Sequence, residues 1–386
     1  MRSSDPPVDL ELVKLRRALH AGAELSDEEE ATAAQVEEFL RRYQPDELLT
    51  GLGGHGLAAV FGGAAPGPTV MFRAELDALP IDEGRALDHA AIREGVSHKC
   101  GHDGHMSMLA GLAPLLQRER PLTGRVVLLF QPAEETGRGA LRVLGDERFA
   151  ALAPDWIFAL HNLPGYPLGQ LVLRRGVFAA TSKGLVVELN GTSAHAAEPH
   201  LARSPALAMA QLIEALATLP QNAVALHSAA KVTTVYARLG DVAFGTTPGK
   251  ATVMATLRAY HDSVMQELSR RCVHLIAGLG ATWGVETEAF WTEAFPATDN
   301  ADEAIDLLEE VAGALGIERV WMEHPAPFSE DFGHLTARHR GALFGLGAGE
   351  AHPALHHPDY DFPDELLGVG TRLMWALLQR LLGDGG

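Results

Sequence analysis

Apolar residues recur at helical spacing near the start of the chain, at Leu12, Leu15 and Leu19 and again at Val36, Phe39 and Leu40. This predicts helix up to about Leu40. The acidic run Asp27-Glu28-Glu29-Glu30 falls early in the second helix and reads as a solvated face beside a positive helix N-terminus. Short apolar runs then alternate with helical patterns. Leu57 to Phe61, Thr69 to Leu76, Gly124 to Phe130, Trp156 to Leu160 and Gly341 to Gly347 read as buried strands, and His105 to Gln117 and Glu303 to Leu315 as helices. Such alternation predicts an α/β domain with a mostly parallel sheet.

The middle of the chain follows another plan. Lys183 to Leu189 reads as a strand, and Ser204-Pro205 opens a helix to about Leu219. Two strands, Lys231 to Leu239 and Lys250 to Tyr260, precede a long helix from Asp262 to Leu279, and Val285 to Trp291 closes the set. The order β-α-β-β-α-β predicts a smaller ferredoxin-like α+β domain. The expected division is a larger α/β catalytic domain over 1–180 and 291–386, interrupted by a lid or dimerisation domain over 181–290.

Length changes little here, since 386 residues already suggest two domains. Charge does more. The chain has 31 basic and 50 acidic residues, a formal net charge of −19, which opposes binding to nucleic acid or to anionic membranes. A carboxylate-bearing ligand would therefore need a local cation. Two cysteines, Cys100 and Cys272, make no disulfide framework. Cys272 lies in a helical pattern and is expected to be a packed thiol. The N-terminal residues lack the apolar stretch of a signal peptide and no run reaches the length of a membrane span, so a cytoplasmic location is expected.

The candidate chemistry begins at Cys100-Gly101-His102-Asp103-Gly104-His105. Thiolate and neutral imidazole are ligands that borderline-soft divalent metals prefer. Glu134 and Glu135 follow one predicted strand, His161 another, and the His352/His356/His357 group follows a third, while Asp77 closes a fourth. Open α/β sheets bind ligands beyond the carboxyl ends of their strands, so these segments are expected to converge there. Of two adjacent carboxylates, one can bind metal and the other act as general base. The three C-terminal histidines cannot all be ligands. No second cysteine pair exists to complete a zinc finger.

These residues resemble the amidohydrolase branch of the M20 metallopeptidases, which includes auxin-conjugate hydrolases, hippurate hydrolase-like enzymes and N-acyl-amino-acid deacylases. The resemblance is nearly end to end. It takes in Arg17-Ala18-Leu19-His20, Arg73 to Pro80, Cys100 to His105, Gln131 to Glu135 and His161 to Gly165. It continues through Ser193 to Pro199, Ser329 to Phe332 and Leu355 to Pro358. It implies that Cys100, His102, Glu135, His161 and His356 hold two divalent ions (zinc, manganese, cobalt or nickel), with Glu134 as general base and Asp77 supporting the cluster. His195 would reach the scissile carbonyl, in some members from the partner subunit of a dimer, and Arg258 would lie on the substrate side. A homodimer through the inserted domain is implied as well.

Two positions depart from the family pattern. Ala23 stands where proline is common, and Gly245 stands where many relatives carry a substrate-binding asparagine. The expected activity is metal-dependent hydrolysis of N-acyl amino acids or similar small amides. The rivals are a peptidase or esterase using the same site, a non-catalytic binding protein, and a hydrolase with Cys100 as nucleophile.

Overall fold

The computed structural model describes residues 10–383. By its internal contacts the chain divides into two units. One comprises the residues up to Phe178 with Thr298–Pro325 and the stretch from Glu330 onward; the other is Ala179–Ala297 with Ala326–Ser329.

The first unit is built on an eight-stranded sheet. Its order is 47–52, 56–62, 123–131, 65–75, 156–164, 341–349, 171–173 and 319–321. The four central strands, Thr123–Gln131, Ala65–Glu75, Trp156–Pro164 and Gly341–Gly349, run parallel to one another. Their inner stretches, such as Val126 to Gln131 and Val70 to Glu75, are buried without interruption, as parallel strands covered on both faces must be. Helices Leu10–Ala21, Glu30–Arg41, His102–Ala110 and Leu366–Leu382 pack Leu12, Leu19, Val36, Leu109, Leu373 and Leu377 into the same apolar core as Phe72, Phe130 and Phe344.

Two expectations for this unit need correction. The helix expected from His105 starts at His102 and is split at Gly111 into His102–Ala110 and Leu112–Arg118. His102 is therefore the first residue of the helix, not part of the preceding loop. The acidic run before Glu30–Arg41 is not wholly solvated, because Glu29 is completely buried. Ala23 packs with Ala78 and Val96 in a small apolar cluster.

The second unit is a four-stranded antiparallel sheet in the order 286–295, 181–190, 250–259, 230–239. Helices Ala206–Ala223 and Asp262–Trp283 cover one face, where Leu212, Leu216, Leu268 and Ile276 meet Val187, Val253 and Leu257. This is the ferredoxin-like plan. Cys272 is a fully buried member of that core, with its thiol pushed up to about 11 by burial. The last strand runs to Phe295, so the boundary placed at 290 falls inside it.

Candidate metal centre

The strand Ala65–Glu75 delivers Asp77 two residues past its end, and the helix beginning at His102 delivers Cys100 and His102. Gly101 joins the last two with φ +92°, and a Cβ there would collide with Asn162 and Tyr360. Glycine is therefore required to bring the backbone that close. Glu134 and Glu135 lie on the turn after Thr123–Gln131, and His161 lies within Trp156–Pro164. His356 takes φ +65° and donates its N–H to Lys99 O at 2.8 Å, which ties the two ligand loops together.

The side chains meet. Cys100 Sγ is 3.5 Å from His161 Nε2. Glu135 Oε1 lies 3.9 Å from His102 Nε2 and 3.7 Å from His356 Nε2. Cys100, His102 and His161 offer ligand atoms within 4.8 Å of one another, as do Cys100, Glu135 and His356. Cys100 belongs to both groups.

The donor set fits divalent metal. His102 Nδ1 donates to Asp77 O at 2.8 Å and His161 Nδ1 donates to Asn162 O at 2.8 Å. A carbonyl only accepts, so each ring proton is fixed on Nδ1 and each Nε2 lone pair is turned inward. His102 Nε2 and Glu135 Oε1 are buried atoms without hydrogen-bond partners, an arrangement that costs free energy unless a cation satisfies them. Burial and the nearby Glu135 push the Cys100 thiol up to about 12, and burial pushes Glu135 up to about 7. Burial alone would lower His102, but Cys100 and Asp77 raise it well above the ordinary range. Bound cations would favour the deprotonated form of each of these groups.

Glu134 faces the same space. Its Oε1 accepts from Asp331 N at 3.1 Å, and burial followed by the charges of Glu330 and Glu135 raises its affinity for a proton well above normal. Asp77 supports Glu135 by accepting its N–H at 2.9 Å and also accepts from Ser26 Oγ at 2.7 Å. The other C-terminal histidines are engaged elsewhere. His352 Nε2 donates to Asp361 O, and His357 Nδ1 accepts from Asp359 N.

His195 and Arg258 belong to the second unit. His195 is bridged to Thr246, and Ala197 N donates to its Nδ1 at 3.1 Å, which leaves Nε2 as the donor of the neutral ring. Gly245 O accepts from Ala196 N at 3.0 Å, so the departure from asparagine leaves a backbone contact with the His195 loop. Arg258 donates to Pro327 O and Ser329 Oγ, and no carboxylate among the described residues pairs with it. Its cross-strand neighbour is Lys231. The two line a small cavity with Ala180, Ala230, Tyr260 and Pro327.

A buried ionic network behind the ligands was missed from sequence. Arg73 pairs with Glu75, with Glu330 at 3.0 Å and with Asp331 at 2.6 Å, and His105 links Glu75 to Asn162. Arg16 pairs with Asp103, Asp361 and Asp364. His20 places Nδ1 2.8 Å from Asp103 and Nε2 2.9 Å from Glu83. The only signal was that His20, Arg73, Glu75, Asp103, His105, Asn162, Glu330 and Asp331 fall in the quoted motifs; Arg16, Glu83, Asp361 and Asp364 lie outside them, and spacing does not pair any of these residues.

Two carboxylates require both His20 nitrogens to donate, and although burial opposes the charge, hydrogen bonds to Asp103 and Glu83 raise its pKa to about 9. Unfolded histidine titrates near 6.5, so this contribution is complete below that pH and lost as pH rises through about 9. Its size is on the order of 3 kcal/mol. The melting temperature of the metal-free protein should fall across this window, and His20→Gln should flatten the slope. Equal slopes in the two proteins would show that His20 does not titrate there.

The chain is similar to known proteins along most of its length. Residues 71–380 match the model of peptidase family M20/M25/M40. The N-acetyl-L-cysteine deacetylase of Bacillus subtilis is 31% identical over 99% of this chain and 92% of its own. The N-acetyldiaminopimelate deacetylase of the same organism is 30% identical over 92% and 94%. The crystal structure of Bacillus subtilis YXEP, described as a dinuclear metal binding peptidase from the M20 family, superposes with a TM-score of 0.83 at 27% identity, covering 99% of this chain and all of the other. With a family match over most of its length and two relatives at 30% identity or more, the chain belongs to peptidase family M20/M25/M40 and is a metal-dependent amidohydrolase of that family.

Proposed function

We propose that this enzyme removes the acyl group from N-acyl amino acids, using a two-ion centre held by Cys100, His102, Glu135, His161 and His356. The observation that carries this reading is the buried, partnerless face of His102 Nε2 and Glu135 Oε1 beside the separate carboxylate of Glu134. Divalent ions bound there, among zinc, manganese, cobalt or nickel, supply Lewis acidity toward the amide carbonyl and acidify water. Glu134 takes the proton of the attacking water and delivers it to the leaving nitrogen. Asp331 N–H holds Glu134 in place for both transfers. His195 donates Nε2–H to the oxygen that becomes negative. The deacetylase relatives support an acyl group as small as acetyl.

Arg258 is proposed to bind the substrate carboxylate. In a chain of net charge −19, an arginine with no acidic partner and a lysine opposite it forms a local positive site. Hydrogen bonds to charged groups contribute about 1.5–3 kcal/mol. Arg258→Ala should therefore raise KM for an N-acetyl amino acid by roughly 10- to 100-fold, and far less for its amide. Equal effects on both substrates would assign Arg258 to structure. The activity itself is tested by hydrolysis of N-acetyl amino acids, dipeptides and esters at matched metal loading; esters or dipeptides preferred over every acyl amino acid would favour the rival enzymes.

We also propose a homodimer formed through the second unit. Its edge strand Ala230–Leu239 leaves Val235, Tyr236 and Leu239 exposed, a surface suited to strand pairing between copies. No helix among the described residues is long and apolar enough to cross a membrane. The cysteine usage supports a cytoplasmic setting.

A further inference from the structure

The turn that carries Glu134 and Glu135 begins in an unusual conformation. Ala133 is fully buried and has φ +50°, in the left-handed region that residues with a Cβ disfavour. A side chain distant in sequence holds it there. Glu29, 0% exposed, accepts the Ala133 N–H on Oε1 at 2.7 Å. Its other oxygen is buried with no hydrogen-bond partner. The Ala133 carbonyl is closed by Gly139 N at 3.0 Å and by Thr136 Oγ1 at 3.2 Å. One residue on is the base, and two residues on is the ligand whose N–H is held by Asp77.

A carboxylate kept dry to hold the backbone N–H of a distant segment is an inefficient way to stabilise a fold. It is an effective way to hold a strained turn in one conformation. We propose that Glu29 is a positioning residue for the metal centre: by holding Ala133 in the left-handed conformation, it fixes where the Glu134 and Glu135 carboxylates point. This rests on the assignment of Glu134 as base and Glu135 as ligand.

Four variants test it: Glu29→Leu, Glu29→Gln, Ala133→Gly and the double Glu29→Leu/Ala133→Gly. The readouts are divalent-ion affinity by chelator competition, kcat and KM on an N-acetyl amino acid, and melting temperature. Glu29→Leu is expected to weaken ion binding and lower kcat by about tenfold each, with KM within about twofold. Glu29→Gln keeps an accepting oxygen and should stay within about threefold of the parent protein. Glycine adopts φ +50° without strain, so the double variant should recover most of both losses.

A Glu29→Leu protein with unaltered affinity and kcat overturns the proposal, whatever its melting temperature. So does a loss that Ala133→Gly leaves uncorrected. If Glu29→Leu does not fold, Glu29→Asp, which withdraws the oxygen by one methylene, decides by the same readouts. The base assignment fails separately, if Glu134→Gln remains active; the ion-affinity readout for Glu29 stands independently of that result.

Discussion

Replacing Glu134 by Gln should leave metal content unchanged and lower turnover by about 100- to 10,000-fold, the range that general acid–base catalysis contributes. The substitution changes little else. Glutamine retains the oxygen that accepts from Asp331 N, and the turn closing on Ala133 does not involve the Glu134 side chain. Only the capacity to take up a proton is lost. Burial together with Glu330 and Glu135 raises the proton affinity of the Glu134 carboxylate above the ordinary carboxylate range. Elemental analysis and kcat measured on the same preparation check the prediction. A fully loaded Gln variant that turns over at the parent rate would remove Glu134 from the mechanism.

The central strands were legible because a parallel sheet buries both faces and leaves near-continuous apolar runs such as Val126 to Phe130. The strands Leu171–Leu173 and Arg319–Trp321 are three residues each, too short to show any period. The helix His102–Ala110 is buried at every position, so it has no polar face to mark its start, and its first residue was placed in a loop. The C-terminal helix Leu366–Leu382 has an apolar stripe through Leu366, Leu373 and Leu377, interrupted by Gly368 and Gly370, and no expectation covered it.

The site divides in the same way. Cysteine, histidine and paired glutamates are conspicuous by chemistry, and their positions after strand ends suggested convergence. The supporting ion pairs were not conspicuous. Arg16 and Glu29 look in sequence like any surface charge, because their partners Asp364 and Ala133 lie far away along the chain. Glu29 shows this most clearly. Within a run of four acidic residues it reads as solvated, yet it alone of the four is fully buried, and it accepts the N–H of Ala133, next to Glu134. Burial of a charge depends on tertiary partners, and local pattern does not carry that information.

Cys100→Ala should have the second largest effect. Cys100 is common to two of the candidate ligand groups, Cys100/His102/His161 and Cys100/Glu135/His356, so its loss would remove one ligand from each. Metal content should fall well below two ions per chain after dialysis, and turnover should fall by at least about 100-fold, beyond the cost typical of losing a supporting contact. Chelation of the parent protein should abolish activity, and divalent metal should restore it. The same experiments separate the metal reading from a Cys100 nucleophile. The buried thiol, with its pKa pushed up to about 12, is almost wholly protonated at neutral pH without a cation, so it is a poor nucleophile. Alkylation should accordingly be slow in the metal-loaded enzyme, where the sulfur is engaged. Activity that survives exhaustive chelation but disappears with Cys100 would establish the nucleophile and overturn the two-ion centre.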